Sequence, residues 1–261
     1  MSRVLPEGIQ RFLLASLTVV ALLFAMVVPA FGQATPEAAP ASGPPTPAVT
    51  LGDDQAAIAV VHGSAAIPAV DILLDDQVAL SNVSFGTVSE FLNVDSGDHN
   101  VKVVPAGGDV SQAVVDTDVS LDSGKVYAVV AAGTADEPEV KAFEINNDPT
   151  ANGTVRLMAI HAASTVDAID IAPVGGDPVI KDLSYFNASD SVDYTGTTVE
   201  LEVRATGETG SLSTLSAFPA TPGSSIAVIV TTDAQSNPMP LYVGVFPGTE
   251  ADSEQVATPT N

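Results

Sequence analysis

Two short stretches of the chain carry the residue types of a hydrolytic triad. The first, HGSAAIPAVDI (62–72), contains His62, Ser64 and Asp71, and the second, HAASTVDAIDI (161–171), contains His161, Ser164 and Asp170. A triad needs a hydroxyl that is hydrogen-bonded to an imidazole, and an imidazole that is oriented by a carboxylate. Both stretches therefore raise the hypothesis of hydrolytic chemistry.

The position of the serine argues against that hypothesis. Ser64 follows its histidine by two residues, whereas Ser164 follows by three, and no Gly-x-Ser-x-Gly elbow occurs. The alternative is structural: each histidine ends a strand, and its imidazole binds a carboxylate or a carbonyl that fixes the next turn. We expect two imidazole–carboxylate pairs, His62 with Asp71 and His161 with Asp170, and no catalytic residue.

Acidic residues near predicted turns are the candidate metal ligands. Asp75, Asp76, Asp116 and Asp118 could supply oxygen atoms to Ca²⁺, which takes six to eight of them. The chain has no D-x-D-x-D-G loop, however, and aspartate is also a common turn residue. We expect hydrated surface carboxylates here, with Ca²⁺ binding as the alternative and no other cofactor.

The two stretches belong to a longer internal duplication with an offset of 99 or 100 residues. VKVVPAG (101–107) matches LEVRATG (201–207), and VYAVVAAG (126–133) matches IAVIVTTD (226–233). This spacing suits two tandem small domains. We predict modules at 53–147 and 152–247.

Each copy consists of short β-prone runs separated by Asp, Ser and Gly turns. VELEVRA (199–205) alternates apolar and charged residues, which is typical of a half-buried strand. The pattern predicts an all-β fold of two tandem immunoglobulin-like antiparallel β-sandwich modules. LDSGKVY further predicts a tyrosine corner in which the Tyr127 hydroxyl bonds the backbone of the preceding turn, with Ala227 at that position in copy two.

The N-terminal region has the features of an export signal. A start containing Arg3 and Arg11 precedes the uncharged FLLASLTVVALLFAMVV and then the small residues of AFGQA. We predict a signal peptide over 1–34, cleaved after Gly32 or Ala34, with an uncleaved anchor as the alternative. A Pro- and Ala-rich linker over 35–52 and an acidic disordered tail over 248–261 would flank the modules.

The composition of the chain limits the classes of molecule that it is expected to bind. The formal net charge is −24, which disfavours nucleic acid, whose binding depends on Lys and Arg neutralising phosphates. The chain has no Cys, so disulfides and thiolate chemistry are excluded. We expect a secreted or envelope-associated protein with no membrane span after cleavage, whose partner is an unidentified protein or envelope component.

Residues 56–107 closely resemble the family called domain of unknown function 4397. Copy two resembles it more loosely, with Phe186 in place of Gly86. The resemblance implies exported, tandem, β-rich modules of prokaryotes, often at cell surfaces, and no assigned activity. The positions that carry it in copy one are His62, Ser64, Pro68, Val70, Asp71, Val83, Phe85, Gly86 and Gly97, and those in copy two are His161, Ala162, Asp170, Ser184 and Gly196.

These observations favour an exported, non-catalytic structural or interaction protein. A Ca²⁺- or small-ligand-binding extracellular module is the first alternative. A secreted hydrolase that uses His62 or His161 is the more remote one.

Overall fold

The computed structural model describes residues 49–148, 150, 154–196 and 198–245. The predicted signal peptide and acidic tail lie outside these residues. Within them the one helical element is a 3-10 turn, and no helix is long and apolar enough to cross a membrane. The strands are β1 (Gln55–His62), β2 (Val70–Leu74), β3 (Gln77–Val83), β4 (Leu92–Asp95), β5 (Gly97–Pro105), β6 (Val115–Leu121), β7 (Val126–Gly133), β8 (Pro138–Ile145), β9 (Val155–His161), β10 (Ala168–Pro173), β11 (Ile180–Ser184), β12 (Val192–Tyr194), β13 (Thr198–Ala205), β14 (Ser211–Pro219), β15 (Ser225–Thr232) and β16 (Pro238–Val245).

The strands form four four-stranded sheets, and each half of the chain supplies two. The first half gives β4-β1-β7-β8 and β3-β2-β5-β6, and the second half gives β12-β9-β15-β16 and β11-β10-β13-β14. The strand order is the same in both halves. The predicted all-β sandwich architecture is therefore confirmed.

One ladder in each half differs from the predicted antiparallel pairing. β1 runs parallel to β7, and β9 runs parallel to β15. Parallel neighbours need a long crossover, and here it contains the four strands of the other sheet together with β4 or β12. The remaining ladders are antiparallel.

The central strands β1, β7, β9 and β15 are buried on both faces. On β1, Ile58 and Val60 point into the sandwich of the first half, whereas Ala57, Ala59 and Val61 point the other way. This alternation follows from the two-residue period of a strand. A sheet covered on both sides reads as a continuous apolar run, which explains sequences such as AAIAVV and VYAVVAA.

The second faces of the two central sheets pack against each other. Residues of both halves form one cluster, which we call the shared layer. Each half contributes both small and large residues, such as Ala57 and Phe143 from the first half and Ala162, Ile160 and Leu241 from the second. Small residues opposite large ones allow two sheets to interdigitate at the density of a protein interior. The layers therefore follow the order outer sheet, central sheet, central sheet, outer sheet.

Phe186 extends the shared layer at its margin. Its φ of 53° lies in the left-handed region, which costs a non-glycine residue about 1–3 kcal/mol. The ring packs edge-on against Phe143 at 5.7 Å between centroids and stacks on Tyr185 at 5.6 Å. In copy one the matching residue is Gly86, which also has a positive φ. Phenylalanine at this position strains the backbone, but its ring adds a contact between the two halves.

Two hydrogen bonds reinforce the same margin. The Tyr185 hydroxyl donates to Glu139 Oε2 at 2.9 Å, and the Lys141 ammonium donates to the Phe186 carbonyl at 3.4 Å. Burial and the Glu139 hydrogen bond raise the pKa of Tyr185, so the phenol stays a donor at neutral pH. The contacts between halves are therefore polar at the margin and apolar at the centre.

The linker predicted over 35–52 is described from Val49 onward. Val49 and Leu51 pack against the shared layer, and the Thr50 carbonyl accepts a hydrogen bond from Asn93 Nδ2. The last residues of the predicted spacer are therefore part of the folded unit, because their apolar side chains reach the edge of its core.

The shared layer predicts that the halves unfold together. Ile160 is 0% exposed and lies in this layer, so Ile160→Ala should lower the free energy of unfolding by about 2–5 kcal/mol. Denaturant titration should show one transition that moves as a whole. Val78→Ala, at a residue that is 60% exposed, is the control and should change little. Two separated transitions, with only the second shifted by Ile160→Ala, would contradict the shared core.

Candidate functional site

His62 and His161 occupy equivalent places at the ends of β1 and β9. Each Nε2 atom lies near a main-chain carbonyl, 3.1 Å from Pro68 O for His62 and 2.9 Å from Val166 O for His161. Each Nδ1 accepts a main-chain N–H, from Ser64 at 3.4 Å and from Ala163 at 3.3 Å. A ring with one acceptor and one donor as neighbours is satisfied only as the neutral Nε2–H tautomer. Burial lowers the pKa of both histidines.

The predicted imidazole–carboxylate pairs are wrong, because each aspartate lies on the outward face of another sheet. Val70 and Ile72 point inward from β2, so Asp71 between them points out. Its oxygens accept the main-chain N–H groups of Asn82 at 2.7 Å and Gly107 at 2.9 Å. These bonds hold the pKa of Asp71 below its usual range. The carboxylate therefore ties a bulge on β3 to the turn after β5.

Asp170 repeats this arrangement in the second half. It accepts the N–H of Asp182 at 2.9 Å and that of Gly207 at 3.3 Å, and also the Thr206 hydroxyl. Asp182 corresponds to Asn82 of the first half, and both residues have a positive φ. The duplicated aspartates therefore hold an equivalent left-handed residue in both copies.

The serines are not arranged as nucleophiles for these histidines. The Ser64 hydroxyl donates to the Gly133 carbonyl at 2.8 Å. Ser64 and Ser164 both line a polar crevice of about 270 Å³ where the ends of the central sheets meet. Hydroxyl, glycine and alanine residues make up most of its wall, and neither imidazole belongs to the described lining. The triad residues thus fold into separate structural contacts.

Tyr127 and its counterpart show where the sequence alignment of the copies slips. The Tyr127 hydroxyl accepts the Asp122 main-chain N–H at 3.1 Å. Tyr127 pairs with Ile58 in the parallel ladder, and the equivalent pair is Ile226 with Leu157. Ile226 therefore stands at the tyrosine position, and the expected Ala227 is wrong by one residue. Ala227 instead faces the shared layer.

The four candidate calcium ligands gather on the outer face of the β2-β5-β6 sheet. There their oxygens already bind nitrogen donors. Lys102 Nζ contacts Asp76 and lies 3.8 Å from Asp116, and the Asn100 amide nitrogen donates to Asp116 and Asp118 at 2.8 and 3.0 Å. The ammonium thus occupies the position between carboxylates that a divalent cation would take. Among the described residues, no group of three or more His, Asp or Glu has the arrangement of a metal site.

His99 also contacts this acidic face, although its position in the sequence does not point to it. Its Nδ1 lies 2.7 Å from Asp75 Oδ2, and its Nε2 lies 2.7 Å from the Asp95 carbonyl. Both neighbours are acceptors, so only the imidazolium donates to both. Partial burial opposes the charge, but the bonds to Asp75 and Asp95 outweigh it and raise the pKa of His99. A lone histidine in HNVKVV gives no sequence signal of this role.

Together the fold and these contacts define a class: a duplicated all-β sandwich protein whose repeated polar residues bind its own main chain. Residues 56–172 match the family model described as Domain of unknown function (DUF4397). The predicted resemblance to that family is thus confirmed over these residues. The match covers the first half and continues through β9 and most of β10. None of the curated proteins compared matches the chain.

The pKa values of the three histidines should shift in different directions, down for His62 and His161 and up for His99. His62 and His161 have pKa values lowered from 6.5, so their contribution to stability is complete above pH 6.5 and is lost as the pH falls below it. His99 has a raised pKa, so its contribution is complete below pH 6.5 and is lost as the pH rises through the folded pKa. At pH 6.5, imidazole NMR should show two rings that are mainly the Nε2–H tautomer and one that is mainly the imidazolium.

The variant His99→Gln serves as the control for this titration. It should remove the high-pKa signal and leave the other two unchanged. Titration of His62 or His161 above pH 6.5, or an Nδ1–H tautomer in either ring, would contradict the assigned hydrogen bonds.

Proposed function

We propose that the protein is an exported, non-catalytic structural or interaction protein of the cell surface or the medium. The proposal rests mainly on one observation: the side chains best suited to chemistry are bonded to main-chain groups. His62, His161, Asp71 and Asp170 all hold strand ends, bulges or turns in place. A group that carries a fold in this way is poorly placed to exchange protons with a substrate.

The shared layer supports the same proposal. Two sandwiches joined by a common apolar core form a stiff block, which suits display or contact better than a mobile active site does. The export signal predicted at the N-terminus would deliver this block to the surface or medium. Its acidic surface, with a net charge of −24, favours solubility and contact with cationic or basic groups.

A Ca²⁺- or small-ligand-binding module is the alternative function. The acidic face formed by Asp75, Asp76, Asp116 and Asp118 and the polar crevice near Ser64 are the surfaces it would use. The presence of Lys102 between the carboxylates weighs against a divalent cation. For this reason we place the structural role first.

A turnover screen tests the main proposal. The purified protein should leave generic ester, peptide and glycoside substrates unconverted beyond the buffer rate, because neither Ser64 nor Ser164 is paired with an imidazole base. Ser64→Ala tests the candidate nucleophile, and Ser236→Ala, in the same crevice, is the matched control. Saturable turnover that Ser64→Ala abolishes and Ser236→Ala preserves would overturn the proposal.

Calcium titration by calorimetry separates the alternative. The native protein should give no saturable heat and no rise in melting temperature at millimolar Ca²⁺. Lys102→Gln, which removes the ammonium between Asp76 and Asp116, shows whether the lysine is what excludes the ion. Saturable binding by the native protein would favour the alternative.

Mass spectrometry of the protein recovered from medium or envelope checks export, with Gln33 or Thr35 expected as the first residue.

A further inference from the structure

The outer strand β14 is an open sheet edge. It pairs with β13 on one side, and within the described chain no strand pairs with its other side. Such an edge presents unpaired N–H and C=O groups that can accept another strand. Proteins commonly protect these edges with charged side chains, proline, bulges or short strands. The protection of β14 therefore decides whether it is available to a partner.

The duplication supplies an internal comparison for this edge. β6 occupies the same place in the first half, and there Lys102 pairs with Asp116 across the ladder. In the second half Glu202 pairs with Thr214 in the equivalent ladder. The register thus places Thr214 where β6 has Asp116, and two residues further on the exposed Ser216 follows it as the exposed Asp118 follows Asp116. Copy two lacks both charged protecting residues.

β14 itself carries no charged side chain. The strand reads SLSTLSAFP. On its neighbour β13, Glu202 and Arg204 form an ion pair with each other, and Glu200 is the third charged residue of that strand, at the register shift beyond Leu201. Leu212, Thr214 and Ser216 are exposed. This neutrality is unusual in a chain with 32 acidic and 8 basic residues.

The other described edges differ from β14. Charged residues lie on β6, β8 and β11, and β4 and β12 have only four and three residues. β16 carries Pro238 and Pro240, which lack N–H donors. β3 is uncharged, but it follows Asp75 and Asp76 and is interrupted by left-handed Asn82. Among these edges, β14 alone is long, uncharged, free of left-handed residues and without proline before its last residue.

We infer that β14 pairs with β14 of a second copy of this chain, antiparallel and across a two-fold axis. Centred on Thr214, this pairing sets Thr214 opposite Thr214 and Leu212 opposite Ser216 of the second copy. It brings no two carboxylates together, whereas the same pairing through β6 would oppose Asp116 and Asp118 on both copies. For a chain with a net charge of −24, the neutral edge is the one that suits self-association.

The local geometry also sets the strength of this dimer. Two register shifts in the β13–β14 ladder leave Ser213–Leu215 as the regular stretch. Bulges disturb the row of hydrogen bonds that a docked strand can use. The interface therefore has few regular main-chain bonds, and a weak dimer that forms with rising concentration is expected. This inference names a partner for the proposed interaction protein and rests on that proposal, but dimerisation is measured independently of turnover or export.

Sedimentation velocity over a concentration series tests the pairing with the full chain. The native protein should shift from its monomer mass of 26.4 kDa toward twice that value. Thr214→Asp/Ser216→Asp restores the protection seen on β6, and Thr214→Lys/Ser216→Lys protects with the opposite charge. Each should raise the dimer dissociation constant by at least about tenfold. Val174→Lys/Val179→Lys, at exposed sites in the same half, is the control and should still dimerise.

The pattern of outcomes distinguishes the causes. Lysine variants lower the net negative charge, so loss of the dimer with both signs assigns the effect to the edge rather than to overall repulsion. Amide exchange within residues 211–218 should slow as concentration rises. A native protein that stays monomeric, a dimer unaffected by the β14 variants, or β14 amides that are protected equally at all concentrations would each overturn the inference.

Discussion

The structure depends above all on the apolar contact between its two central sheets. Each half of the chain presents a second buried face, and neither face could stay exposed without placing a wide hydrophobic surface in water. Ala57, Ala59 and Ala128 of the first half belong to the same buried cluster as Ile160 and Leu241 of the second. The duplicated halves therefore form a single four-layer unit, in which the central sheet of each sandwich covers the central sheet of the other.

Around this layer, polar side chains fix the points where strands leave it. His62 and His161 hold the loops that follow β1 and β9, and Asp71 and Asp170 hold the outer hairpins. Each satisfies main-chain groups that would otherwise be unpaired near the core. Because equivalent contacts occur in both halves, the motifs repeated in the sequence are the ones that shape the fold. The halves differ instead at their margins. Phe186 of the second half packs against the first half, whereas its counterpart Gly86 has no side chain.

Much of this architecture could be predicted from the sequence. Turn residues and short apolar runs indicated an all-β fold, and the family resemblance of the first copy agrees with the family match. The packing of the halves could not be predicted, because AAIAVV has the same apolar pattern whether its second face meets a sheet or another chain. The partner of each histidine was also hidden. Asp71 follows His62 by nine positions, but His62 ends a central strand and Asp71 faces outward from the opposite sheet, so proximity in sequence gave no contact. Matching the two copies by sequence also placed Ala227, rather than Ile226, at the position of Tyr127. Only the parallel ladder fixes this register.

Native-state hydrogen exchange on the strands of the shared layer tests its central role most directly. If the layer is one core, amides of β1, β7, β9 and β15 should exchange only through global unfolding, with the same free energy of opening in both halves. The result that would contradict this account is a clearly lower opening free energy for β9 and β15 than for β1 and β7. That result would mean that the second half opens while the first stays folded, and that the two sheets do not share a core.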